Sequence, residues 1–120
     1  MNRKVLPLEV KMIKELSYDD IADAIDSTRS SGKPIVIDFW APWCGPCRVL
    51  TPIIDEISEE MDDKATFAKI DVEENREAAL AYNVMSIPTL VIFKDGIETH
   101  RIIGSTSKRS LVSEFAEAIG

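Results

Sequence analysis

Hydrophobic and polar positions change their period along this chain, and each change marks an element. Ser17-Tyr18-Asp19-Asp20 reads as a helix start, with Ser17 as N-cap and acids in the first turn. Ile21, Ala24 and Ile25 recur at helical spacing until Gly32 ends the segment. Pro34 introduces Ile35-Val36-Ile37-Asp38-Phe39-Trp40, a nearly continuous apolar run, as a strand covered on both faces reads. A helix follows with an apolar stripe of Leu50, Ile53, Ile54, Ile57 and Met61, and Pro52 predicts a kink in it. Thr66–Asp71 is the next strand, Glu73–Tyr82 a short helix and Pro88–Phe93 another strand. Asp95-Gly96 tolerates the positive φ of a tight turn and predicts a hairpin into Ile97–Ile103. Ser107 then caps a last helix with Leu111, Val112, Phe115 and Ile119 inward, ending at Gly120. Ahead of all this, residues 10–16 hold a short edge strand, and residues 1–8 read as a loose lead-in.

The order is βαβαβαββα. Its βαβ part demands parallel strands and its hairpin antiparallel ones, so the expected architecture is α/β, a mixed central sheet with helices on both faces. In such folds chemistry gathers at the carboxyl ends of the strands. No internal repeat, low-complexity tract or linker interrupts the chain, so one domain over residues 1–120 is expected.

Composition narrows the class. A chain of 120 residues with 45% hydrophobic content is large enough to bury its own core. A net charge of −7 disfavours binding to phosphate backbones, so nucleic acid is not an expected partner. No apolar run approaches the ~20 residues needed to span a bilayer, so no membrane association is expected. Pro7, Glu9 and Lys11 break the amino-terminal apolar stretch short of a signal-peptide core, which points to the cytoplasm.

The chain's two cysteines both lie in Trp40-Ala41-Pro42-Trp43-Cys44-Gly45-Pro46-Cys47, just past the end of the most buried strand. Taken alone, C-x-x-C fits a metal site or a redox couple equally well. Tetrahedral zinc needs four ligands, and the single histidine, His100, falls in the distant hairpin, so no metal is expected. A reducing compartment also argues against a structural staple. Residues three apart at a helix start share a face, with β-carbons about 5–6 Å apart. A disulfide closes with α-carbons within roughly 4.4–6.8 Å. Pro46 lacks an N–H where a helix start needs none, and Gly45 tolerates the restriction a following proline imposes. At the helix amino terminus, Cys44 would meet unpaired N–H groups that favour a thiolate, the form that attacks a disulfide. Cys47 is one turn deeper. The asymmetry suits Cys44 as nucleophile and Cys47 as resolving partner.

With W-C-G-P-C after V-I-D-F-W, the chain resembles the thioredoxin family. The resemblance continues in order through F-A-K-I-D, S-I-P-T-L, F-K-D-G and I-I-G, over about residues 17–119. It implies a thioredoxin fold and reduction of protein disulfides through a mixed disulfide. The dithiol would be regenerated by a thioredoxin reductase fed by NADPH or another electron source. No nucleotide fingerprint occurs, so no cofactor is expected on the chain itself, and a monomer is expected.

The resemblance also implies roles for single residues. Asp38 matches the family's buried acid, which exchanges a proton with the resolving thiol; an aspartate within I-V-I-D-F-W is desolvated, which raises its pKa. The alternative is an aspartate that caps local N–H groups near the strand end. Lys69 matches a lysine beside that acid, whereas a strand lysine read by itself is a snorkelling edge residue. Pro88 matches a cis-proline beside the cysteines, with Ile87 before it, where a substrate strand pairs. Trp43, Gly45, Pro46 and Gly104 match substrate-facing positions. Trp40 matches a tryptophan that supports the site from beneath, though both tryptophans also read as plain packing residues. Ala41-Pro42 replaces an acid found in many relatives, so a less negative rim is expected, and Met85-Ser86 stands where many have a glycine nearby.

Overall fold

The computed structural model describes residues 13–119. The lead-in expected over residues 1–8, the first residues of the 10–16 strand and the terminal Gly120 lie outside them.

Elements follow the expected order: β1 (Lys14–Leu16), α1 (Tyr18–Ser31), β2 (Ile35–Trp40), α2 (Gly45–Glu60), β3 (Thr66–Asp71), α3 (Arg76–Ala81), β4 (Thr89–Lys94), β5 (Ile97–Ile103) and α4 (Lys108–Ile119). One five-stranded sheet runs β1-β3-β2-β4-β5. β3 pairs parallel with β1 and β2, β4 pairs antiparallel with β2 and β5, and β1 is indeed an edge strand.

The central strand explains the unbroken apolar run. Side chains alternate across a sheet. Ile35, Ile37 and Phe39 therefore join Ile21 and Ile25 of α1 and Ala78 of α3 on one side. Val36 joins Leu50, Ile54 and Ile57 of α2 and Leu111 and Phe115 of α4 on the other. Asp38 shares the parity of Val36, so it points to the α2 side.

Local chemistry sets the boundaries. Asp20 answers Ser17 across the start of α1, its carboxylate accepting from the Ser17 hydroxyl at 2.9 Å. Gly32 closes that helix with φ 70° and donates its N–H to Thr28. Asp95 and Gly96 have φ 54° and 82°, the left-handed pair that a two-residue hairpin with the twist of its strands requires. Ser107 Oγ accepts from the Ser110 N–H at 3.2 Å and starts α4.

Three expectations are corrected. The short helix begins at Arg76, not Glu73, because the Asp71 carboxylate accepts the Glu73 N–H at 2.8 Å and holds residues 72–74 in a turn. β4 begins at Thr89, because Pro88 has no N–H to give a ladder. Val112 is exposed, since Leu111 and Phe115 already fill the inward stripe one helical turn apart. α2 continues without interruption past Pro52.

Candidate active site

The site is built where β2 hands over to α2. Cys44 is the N-cap of α2, with extended backbone (φ −86°, ψ 111°). Its Sγ accepts the Cys47 N–H at 3.2 Å, so the sulfur takes the position a serine or aspartate oxygen fills in other caps. Pro46 stands in the first turn, where its missing N–H costs nothing. Cys44 and Cys47 are joined as a disulfide, with α-carbons 5.3 Å apart, inside the range such a bond spans.

The two sulfurs differ in access. Cys44 retains 5% exposure and Cys47 none, so a partner reaches only Cys44. Ala41 packs against both cysteines, with Trp40, Val72 and Ile87 around them. The Ile87 carbonyl oxygen lies 3.9 Å from Cys44 Sγ, and the Ile87–Pro88 bond is cis. Gly104 (φ 91°) donates its N–H to the Pro88 carbonyl at 2.9 Å, and the space a β-carbon would take there is open. Gly45 and Pro46 are exposed beside the cysteines, and Trp43 is 66% exposed.

Beneath the cysteines the α2-facing side of the sheet carries charge. Asp38 is 1% exposed, and neither of its carboxylate oxygens has a hydrogen-bond partner among the described residues. The alternative that it caps local N–H groups is therefore overturned. Burial pushes its pKa up to about 7; the Lys69 ammonium pulls it down and the Asp55 carboxylate pushes it further up. Lys69 lies directly across from Asp38 in the parallel register. Its ammonium sits 4.7 Å from the centre of the Trp40 ring, a cation–π contact. A snorkelling edge residue it is not, because β3 lies inside the sheet between β1 and β2.

Three carboxylates on these surfaces were not singled out from sequence. Glu73 accepts the Trp43 indole N–H at 2.9 Å and a bond from Arg76 at 3.1 Å; these hold its pKa below the usual range. It returns an acid to the rim that Ala41-Pro42 had made neutral. Glu15 accepts the Trp40 indole N–H at 3.2 Å. Asp55 is buried on α2 and accepts the Ile13 N–H at 3.5 Å. The legible signal was the stripe Cys47, Thr51, Asp55 at four-residue steps along α2, flanked by inward isoleucines. Among the described residues no three His, Cys, Asp or Glu side chains gather where they could hold a metal ion, and no helix is long and apolar enough to cross a membrane.

The thioredoxin family model matches residues 12–117 of the chain. The chain is a member of the thioredoxin family. It is 46% identical over 90 residues to a thioredoxin of Mycobacterium tuberculosis, covering 75% of this chain and 78% of that protein. It is 41% identical over 90 residues to a bifunctional thioredoxin reductase/thioredoxin of Mycobacterium leprae, covering 75% of this chain and 20% of that protein. Among solved structures, a mutant thioredoxin from Halobacterium salinarum superposes with a TM-score of 0.77 at 32% identity, covering 91% of this chain and 92% of that one. The fold is the thioredoxin fold, and the paired cysteines carry the family's thiol–disulfide oxidoreductase chemistry. The family works with thioredoxin reductase.

Proposed function

We propose that the chain is a cytoplasmic, monomeric reductant of protein disulfides in which Cys44 attacks, Cys47 resolves and Asp38 takes the resolving proton. One observation carries the reading: a cap-position sulfur, already accepting a helix N–H, stands above a buried carboxylate with no hydrogen-bond partner among the described residues.

In the reduced protein, the N–H groups at the start of α2 and the helix dipole favour the Cys44 thiolate. That thiolate attacks one sulfur of a substrate disulfide; a Cys44–substrate bond forms, the substrate S–S bond breaks and the other sulfur leaves as thiolate. Cys47 then gives its proton to the Asp38 carboxylate. Its thiolate attacks Cys44 Sγ, breaks the mixed disulfide and releases the second substrate sulfur as thiolate. The substrate has gained two electrons and the protein holds the Cys44–Cys47 disulfide. A thioredoxin reductase restores the dithiol with two electrons from outside. The Mycobacterium leprae relative, whose name joins a reductase to a thioredoxin, supports that pairing.

The rim supplies the docking edge. The Ile87 carbonyl beside Cys44, the open space at Gly104 and the exposed faces of Gly45 and Pro46 leave room for an extended substrate strand. Trp43, held by Glu73, offers it a flat apolar surface, and Trp40 supports the site from the Lys69 side.

Reduction of insulin disulfides by dithiothreitol tests the reading. The parent protein should accelerate it, while Cys44→Ser and Cys47→Ser should each abolish turnover. Undiminished turnover by Cys44→Ser would overturn it. Asp38→Asn should slow release of the mixed disulfide more than its formation; equal slowing of both would remove Asp38 from the resolving step.

A further inference from the structure

Asp55 is a second buried carboxylate on the same face, and nothing in the exchange steps above uses it. It lies on the inward stripe of α2, two four-residue steps beyond Cys47, with Thr51 between them donating its hydroxyl to the Cys47 carbonyl at 3.0 Å. The helix surface holding Cys47 therefore also holds Asp55. Opposite it, on the sheet, Asp38 and Lys69 face each other in register, with Glu15 of β1 next in the same row. The row runs from an exposed acid, through a half-buried lysine, to a carboxylate sealed from water.

The charges do not balance. Among the described residues, Lys69 is the only cation acting on Asp38, and it acts on Asp55 as well. Glu15 is engaged by the Trp40 indole and Glu59 of α2 adds negative charge to Asp55. Among the described residues Asp55 has one neutral donor, the Ile13 N–H at 3.5 Å, which is weak at that length. Two carboxylates thus draw on one ammonium. A charge at Asp55 opposes ionisation of Asp38 directly and also spends part of the Lys69 attraction.

We propose that Asp55 is a positioning residue for the exchange reaction: by sharing Lys69 with Asp38, it fixes how firmly Asp38 holds a proton against Cys47. Without it, Lys69 would serve Asp38 alone, and the buried acid would give up its proton more readily. The two carboxylates then titrate as a coupled pair across Lys69 rather than as separate groups. The proposal rests on Asp38 as the resolving proton acceptor.

Two readouts separate the proposal from that reading. The first is the carbon-13 titration of the Asp38 carboxyl in the parent, Asp55→Asn and Lys69→Met proteins. The second is the pH dependence of mixed-disulfide release in the same proteins. Asn keeps an oxygen for the Ile13 N–H while removing the charge. Asp55→Asn should lower the Asp38 midpoint, Lys69→Met should raise it, and the release profile should move with each. Loosened packing would also hydrate Asp38 and lower its midpoint, so Ile54→Val, which thins the same face without changing charge, serves as control and should leave the midpoint in place. An unmoved midpoint in Asp55→Asn, or an equal fall in Ile54→Val, overturns the proposal. A moved midpoint with an unmoved release profile upholds the coupling and overturns the role of Asp38.

Discussion

Replacing Asp38 by asparagine should stabilise the protein at neutral pH and leave it nearly unchanged in acid. The folded carboxyl titrates at about 7, against 3.8 for an ordinary aspartate. Between those values the native state binds more protons than the unfolded chain, so stability falls as pH rises through the window and is level above it. Each pH unit of difference is worth about 1.4 kcal/mol, so ionised Asp38 destabilises the fold by about 4 kcal/mol at pH 8. Asparagine fills nearly the same volume and cannot ionise. It leaves buried polar atoms without partners much as the protonated acid does, so that cost cancels in the comparison. The difference between variant and parent should be close to zero near pH 4 and climb to about 4 kcal/mol by pH 8. With a guanidinium slope of about 4 kcal/mol/M, the midpoint should rise by about 1 M at pH 8. Guanidinium unfolding of both oxidised proteins at half-unit steps from pH 4 to 8.5 measures the curve. A difference that stays constant with pH would refute the reasoning, and so would a variant less stable than the parent at pH 8.

Other perturbations probe the frame that holds the site. Phe115 is fully buried and meets Phe67 edge to face at 5.8 Å, so Phe115→Ala should cost about 3–5 kcal/mol in urea unfolding while sparing the order of thiol reactivity. Thr28 is buried, and its hydroxyl accepts the Gly96 N–H at 2.8 Å and donates to the Ile25 carbonyl at 2.6 Å, tying α1 to the β4–β5 turn. Thr28→Val should cost about 1–3 kcal/mol and speed amide exchange at Gly96. Glu73→Gln weakens the hold on the Trp43 indole, which should shift the fluorescence of this exposed tryptophan and raise the KM for protein substrates with little effect on small disulfides.

What could be read from the sequence follows from how far each signal reaches along the chain. β2 was legible because its apolar run is uninterrupted, and the cysteine motif because its spacing and its place before a helix are local. Asp38 stood out as a charge inside that run. Local patterns failed where a side-chain contact or the packing of neighbours decides the outcome. The start of α3 depends on the Asp71 carboxylate, which reads as an ordinary strand-end acid. Val112 carries the right residue type at a position that Leu111 and Phe115 rotate outward. Lys69 looked like an edge lysine until strand order placed β3 inside the sheet with Asp38 alongside. Glu15 and Glu73 hold tryptophans 25 and 30 positions away, and Asp55 accepts from Ile13, 42 positions away, through contacts that only the folded chain creates. Their roles were hidden for that reason. Asp55 alone had a local clue, a charge on the apolar stripe of α2.

The unequal division of labour between two sulfurs is the central claim, and trapping tests it most directly. Reduced Cys47→Ser and Cys44→Ser proteins are each mixed with a protein carrying one accessible disulfide, quenched with acid and mapped by mass spectrometry. Cys47→Ser should accumulate a mixed disulfide through Cys44, while Cys44→Ser, left with a thiol that has no exposure to solvent, should accumulate almost none. Equal trapping through Cys47 would contradict the account.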